Sequence, residues 1–283
     1  MMTRRVFLKG TAAGLAGAAA VSTRAMAEGA KPAPKIRLSS CAIGMADAKK
    51  AGLDGIEVGV GGPEDTLHIV KPDVRKGYKK QMEDTGLVIS SFMMGLLNGN
   101  PLATDPRGPA WLAQSIEAAA DLKAQVILIA FFGAGSLKDG KGVKKADVDV
   151  VVERLKAAAP KAKDAGVILG IENTLSAEQN LEILGRVGHD SVRIYYDGYN
   201  LAGEGYDVPA EIRLLKDKIA IFHFKNGGDY LETGKVKWDP IAAAMKDIGY
   251  QGWIVLETSA PSKDRVADDR RNAEYVRKLL GVA

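Results

Sequence analysis

The chain has 283 residues, 46% hydrophobic and 26% charged, which suits a soluble globular core and excludes disordered, collagen-like and membrane-embedded classes. Its formal charge of +4 comes from Arg4, Arg5, Lys9 and Arg24. Beyond Ala27 there are 35 basic and 35 acidic residues, so attraction of nucleic acid through overall charge is excluded. Cys41 stands alone and admits no intramolecular disulfide.

Residues 1–27 read as an export signal. Thr3-Arg4-Arg5-Val6-Phe7-Leu8-Lys9 resembles the twin-arginine motif, and Ala25-Met26-Ala27 forms a small-residue cleavage site. The Gly/Ala-rich run between them, about 12 residues, is too short to span a bilayer roughly 30 Å thick, so no stable membrane anchor is expected. The implied partner is the twin-arginine export machinery, and the implied location is the periplasm or another exported compartment. That route carries folded proteins, so a metal can be loaded before export. Residues 28–34, with Lys31-Pro32-Ala33-Pro34, read as a linker, and 35–283 as one domain.

From Lys35 onward, short apolar runs alternate with longer amphipathic ones. Strands are predicted at Ile36–Ser40, Gly55–Val60, Leu87–Met93, Gln125–Phe131, Val167–Glu172, Val192–Asp197, Ile219–Lys225 and Trp253–Glu257. The clearest helical patterns are Trp111–Lys123, Ala146–Ala165, Ala177–Val187, Pro209–Lys216, Ile241–Ile248 and Ala267–Leu280. Glycines at 52, 86, 166 and 249 mark helix ends just before strands. Strand–helix alternation implies a parallel sheet, and eight units in about 250 residues imply a closed (β/α)8 TIM barrel. An open doubly wound sheet is the alternative, but no G-x-G-x-x-G turn follows the first strand. The Gly59–Gly62 stretch lacks Lys-Ser/Thr and reads as a turn, not a phosphate loop.

In such a barrel the chemistry stands at the carboxyl ends of the strands. Four successive strands end on Glu172, Asp197, His223 and Glu257, spaced by 25, 26 and 34 residues, one strand–helix unit each. The two-residue strand period is consistent with all four facing inward. It sends Ile171, Phe222, Phe224, Ile254 and Leu256 outward and brings Lys225 in beside His223. Three carboxylates and an imidazole at one mouth repel without a cation. An oxygen-rich set with one nitrogen suits one divalent ion, among Mn²⁺, Mg²⁺, Co²⁺ and Zn²⁺.

At these residues the sequence resembles the xylose isomerase-like TIM barrels, the sugar phosphate isomerase/epimerase family. The similar motifs are Ile-Glu-Asn at Glu172, Tyr195-Tyr196-Asp197 with Asn200, His-Phe-Lys at His223–Lys225 and Glu-Thr at Glu257. The likeness runs from about Lys35 to Leu280. It implies a single metal ion, manganese first, held by Glu172, Asp197, His223 and Glu257, with the two glutamates as the acid/base pair. Those epimerases often carry a substrate-contacting histidine three residues after the aspartate. Here that position is Asn200, which can hydrogen-bond but cannot take a proton.

The expected activity is sugar isomerisation or epimerisation by proton abstraction beside a carbonyl, through an enediolate. Lys225 is expected to orient a substrate oxygen or to offset negative charge. Glu57, ending the second strand, reads either as a contact to a substrate hydroxyl or as a buried structural carboxylate. His68 reads as a pocket residue or a solvated loop histidine, and Trp238 as a sugar-stacking ring or a cap on the rim. His189, in the turn before the sixth strand, belongs to the opposite end of the barrel. Two other functions fit the same residues: a keto-sugar or keto-glycoside lyase or hydratase, and a catalytically inactive periplasmic sugar-binding protein. The retained glutamates argue against the latter. A nuclease on this barrel needs a histidine-rich zinc site, which three histidines do not supply.

Overall fold

A computed structural model describes residues 36–140 and 142–282 of the chain. The predicted export signal and linker lie outside the described residues. Eight parallel strands close into a barrel: β1 (Ile36–Ser40), β2 (Gly55–Gly59), β3 (Val88–Met94), β4 (Val126–Ala130), β5 (Ile168–Glu172), β6 (Val192–Asp197), β7 (Ile219–Phe224) and β8 (Gly252–Leu256). Each strand pairs with its neighbours in sequence, and β1 closes on β8 with Ser40 opposite Leu256.

The helices are α1 (Met45–Lys50), α2 (Pro72–Thr85), α3 (Gly108–Leu122), α4 (Lys145–Asp164), α5 (Ala177–Val187), α6 (Gly198–Gly203), α7 (Val208–Leu215), α8 (Trp238–Asp247) and α9 (Arg265–Leu280). Local chemistry sets their ends. Gly86 stops α2 with φ +74°, its N–H returning to Met82 O, a left-handed conformation that glycine adopts without the strain a side chain brings. Ser176 and Gln179 form a capping box that starts α5, each side chain accepting from the other's backbone N–H. Among the described residues, no helix is long and apolar enough to cross a membrane.

Period-two alternation divides the core into two clusters. Val126, Leu128, Ala130, Tyr195, Ile221, Trp253 and Val255 fill the barrel interior. Ile127, Ile129, Ile171, Tyr196, Phe222, Phe224, Ile254 and Leu256 face the helices, as the alternation predicted. At the amino-terminal end of the barrel, Arg37 stacks over the Trp253 ring at 4.1 Å and donates to Gln125 Oε1 at 3.0 Å. In barrels of this kind the chemistry stands at the opposite, carboxyl end.

Two irregularities set the phase of the interior. Ile56 pairs with Ile89 but Glu57 with Ser91, so Ser90 is an extra residue in β3. Ile194 pairs with Ile219 but Tyr195 with Ile221, so Ala220 is extra in β7. Each bulge re-aims the side chains that follow it. The Ser90 hydroxyl replaces lost ladder bonds by donating to Ile56 O at 3.0 Å, and it meets Ser39 Oγ at 2.8 Å.

Candidate functional site

The ends of β5, β6, β7 and β8 bring Glu172, Asp197, His223 and Glu257 together, with one ligand atom from each lying within 4.8 Å of the others. The first three are buried, and Glu257 is partly exposed. Glu172, His223 and Glu257 line a cavity of about 230 Å³, walled by Met93, Asn98, Leu128 and Phe132 and reached by Asn200 and Lys225. A cavity of that size admits a small polar molecule in place of several waters.

The polar groups are ordered in layers. His223 Nδ1 lies 3.3 Å from both Glu172 Oε1 and Glu257 Oε2. Lys225 Nζ donates to Glu257 Oε2 at 2.8 Å and faces Asp197 Oδ2 at 3.0 Å. Asp197 Oδ1 accepts from Asn200 N at 2.8 Å, capping α6, while Oδ2 makes no aligned hydrogen bond despite its burial. Below them, His223 Nε2 meets Glu57 Oε1 at 3.1 Å.

After β5, β7 and β8 the residue behind Glu172, Lys225 and Glu257 ties down the loop that follows. The Asn173 side chain accepts from Leu175 N and donates to Asn180 Oδ1 at the start of α5. Asn226 bridges its own loop, donating to Leu231 O and Val236 O and accepting from Val236 N. The Thr258 hydroxyl donates to Asp269 of α9, which also receives Arg265.

Burial dominates the protonation behaviour, and neighbouring charge then decides its sign. Burial pushes the Glu172 carboxyl up to about 7 against the pull of His223. Burial also raises Asp197, outweighing Lys225 and His223. For His223 the balance reverses: Glu172 and Glu57 overcome burial and hold the imidazole well above its usual range. Glu57 is fully buried, yet His223 and three donated hydrogen bonds leave it below the ordinary carboxylate range. Lys225 is raised despite burial by Asp197 and Glu257.

A cation fits this arrangement. Four carboxylates, counting Glu57, face one lysine and one histidine, and a buried Asp197 oxygen lacks an aligned donor. Buried negative charge of this kind requires a metal or further donors. Oxygen ligands with one imidazole nitrogen suit a divalent ion of the manganese, magnesium, cobalt or zinc type.

For Glu57 and His68 the structure fits the second of the two readings, and for Trp238 neither. Glu57 does not reach the cavity: it lies beneath His223, only 4% exposed, its oxygens held by Ser91, Tyr195 and His223. His68 is exposed in the turn His68–Val70 and does not line the cavity, because buried Leu67 and Ile69 on either side turn it outward. Trp238 opens α8 on the outer side of β7, 1% exposed and stacked on Phe224 at 4.0 Å; it can neither cap the rim nor meet a sugar. Lys225 and Asn200 are at the cavity, as expected, and His189 is at the opposite end, in the turn before β6. Sequence reasoning missed Ser91, Tyr195 and the cavity wall of Met93, Asn98 and Phe132. Tyr195 had a signal, since two residues before Asp197 is the same strand face.

A parallel barrel with a carboxylate–histidine cluster at its carboxyl end defines a TIM-barrel protein whose four clustered side chains could hold a cation. The chain belongs to the xylose isomerase-like TIM barrel family, whose model matches residues 45–279. It is 28% identical over 270 residues to the L-ribulose 3-epimerase of Mesorhizobium japonicum, covering 84% of this chain and 86% of that protein. A solved L-ribulose 3-epimerase superposes with TM-score 0.70 at 22% identity, covering 88% of this chain and 95% of the other. A 3-keto-D-glucoside 4-epimerase from E. coli superposes with TM-score 0.67 at 15% identity, covering 87% and 99%. At these identities the two structures bear on the fold.

Proposed function

We propose that this protein is a divalent-metal-dependent epimerase or isomerase of a ketose or related keto-sugar. The observation that carries the reading is the convergence of Glu172 and Glu257, from β5 and β8, with Asp197 and His223 in one cluster beside a small cavity. Support comes from the family and from the likeness, along most of both chains, to an L-ribulose 3-epimerase.

Glu172, Asp197, His223 and Glu257 would hold the ion, manganese first. When bound, such an ion supplies Lewis-acid stabilisation of the charge that develops on a carbonyl oxygen. The chain's own residues do the rest. One of the two glutamates takes the proton from the carbon beside the carbonyl, and the other returns one from its own side. Lys225 donates to a substrate oxygen, and Asn200 offers a hydrogen bond to a hydroxyl without taking part in proton transfer. Met93 and Phe132 cover the C–H face of the sugar and exclude water. Residues 1–27 direct the protein out of the cytoplasm through the twin-arginine route, and residues 35–283 form the single functional domain.

The test is proton exchange in D₂O against ketoses and keto-glycosides, with and without added Mn²⁺. Metal-dependent deuterium entry beside the carbonyl, with an epimer or isomer as product, is the expected result. Loss or addition of a group at the neighbouring carbon identifies a lyase or hydratase instead. Sugar binding without any exchange identifies a binding protein.

A further inference from the structure

We propose that Glu57 is the positioning residue for His223: it accepts the Nε2–H and so commits the Nδ1 lone pair to the cation site formed with Glu172, Asp197 and Glu257. The inference rests on the metal reading above.

The geometry separates the two ring nitrogens. Nδ1 faces Glu172 Oε1 and Glu257 Oε2, both at 3.3 Å, while Nε2 faces Glu57 Oε1 at 3.1 Å. A neutral imidazole has one N–H and one lone pair. Both nitrogens face carboxylate oxygens, but those beside Nδ1 belong to the cation cluster and Glu57 does not. With a cation in the cluster the Nδ1 proton is displaced, so the remaining proton belongs on Nε2 and the lone pair on Nδ1. A carboxylate behind a metal-binding histidine fixes both its tautomer and its ring orientation.

Glu57 is itself held rigidly enough to act this way. Its other oxygen, Oε2, accepts from Ser91 Oγ and Tyr195 Oη, each at 2.7 Å. Ser91 faces inward because the bulge at Ser90 shifts the phase of β3 against β2. The Tyr195 ring also packs on the imidazole, with centroids 4.6 Å apart and planes at 59°, which limits rotation. One residue, from a strand that carries no ligand, therefore sets the direction of a ligand on β7.

The test uses the full chain, stripped with EDTA, and calorimetric titration of Mn²⁺. Glu57→Gln keeps an acceptor oxygen and loses the charge, so its affinity should fall by about tenfold. Glu57→Ala should fall by up to about a hundredfold, the range for losing such a partner. Tyr195→Phe frees Oε2 of one donor and should shift affinity less, in the same direction. In the Zn²⁺-loaded protein, a slowly exchanging His223 Nε2–H resonance should persist in Glu57→Gln and vanish in Glu57→Ala. If Glu57→Ala does not fold, Glu57→Gln and Tyr195→Phe decide the matter. Unaltered affinity in these variants, with only a lower melting temperature, assigns Glu57 a structural role and overturns the proposal while leaving the metal reading intact. An unaltered protein that takes up no divalent ion removes both.

Discussion

Lys225 and Glu257 share a hydrogen bond, Nζ to Oε2 at 2.8 Å, and the same ammonium faces Asp197 Oδ2 at 3.0 Å. The lysine therefore occupies oxygens of two groups that would hold a cation. It competes with the ion for them. Removing a unit charge about 4 Å from a divalent ion is worth about 2 kcal/mol even in watery surroundings. Lys225→Met should thus bind Mn²⁺ about tenfold or more tightly, measured by titration. Turnover should fall in the same variant, because a donor to the substrate is lost. Weaker metal binding would show that the ammonium supports the site rather than competing for it.

Glu172→Gln and Glu257→Gln each keep size and one oxygen ligand while removing a base. Turnover should drop by roughly a hundredfold or more in each, the usual cost of losing a positioned proton-transfer group. Metal occupancy must be measured alongside, at saturating Mn²⁺. Substrate affinity should change far less. Turnover that survives in both variants at full occupancy would end the acid/base assignment.

The metal-free protein should lose stability as pH rises from about 4.5 through about 7. Glu172, raised from 4.5 to about 7 by burial, binds its proton more tightly folded than unfolded. Its contribution is complete below the unfolded value and is lost as pH climbs through the folded one. His223, raised by Glu172 and Glu57 against burial, extends the same trend above 6.5. Glu57 acts oppositely, since its lowered value costs stability only as pH falls below 4.5. Melting temperatures of EDTA-treated protein between pH 5 and 8 should show the decline, and Glu172→Gln should flatten it between 5 and 7. The gain in melting temperature on adding Mn²⁺ should grow with pH, because the ion displaces protons. A gain that shrinks as pH rises would contradict this account.

Gly170 leaves room in the barrel interior: a Cβ there would lie 3.2 Å from both Tyr195 Cβ and Val126 Cγ1. Gly170→Ala should cost about 1–3 kcal/mol in urea unfolding, the usual penalty for overpacking a close-fitted core. Tyr195 and Val126 must both give way, and displacement of Tyr195 should weaken Mn²⁺ binding as well. Unchanged stability would mean that the interior is looser than these distances imply.

If residues 1–27 direct twin-arginine export, Arg4→Lys with Arg5→Lys should leave the protein in the cytoplasm. Fractionation of cells expressing each form measures it. Export unchanged in the double variant would indicate another route.

Most of the barrel was legible because its strands are short apolar runs bounded by helix-ending glycines. Ile36–Ser40 and Val192–Asp197 match the predicted bounds, and the remaining strands differ by a residue or so at their ends. The end of α2 was marked by Gly86, but its span was not legible because it has no buried residue, hence no apolar stripe to read. The six-residue α1 and α6 are too short for periodicity to register. The four clustered side chains were visible through their one-unit spacing. Glu57 stayed open between a substrate contact and a buried structural carboxylate, because the bulge at Ser90 that brings in Ser91 leaves no mark in strand periodicity. Trp238 misled because its sequence position, just before Asp239-Pro240, suits a rim residue as well as the first turn of a helix.

Asn173, Asn226 and Thr258 fasten the loops at their roots, directly behind Glu172, Lys225 and Glu257. This gives the molecule a division of labour between a socket and an interchangeable collar. Segments beyond those anchors can lengthen, shorten or be swapped while the socket stays in place. A lineage, or an engineer, can therefore redraw which sugars enter by editing the collar alone, and the chemistry below carries over unaltered.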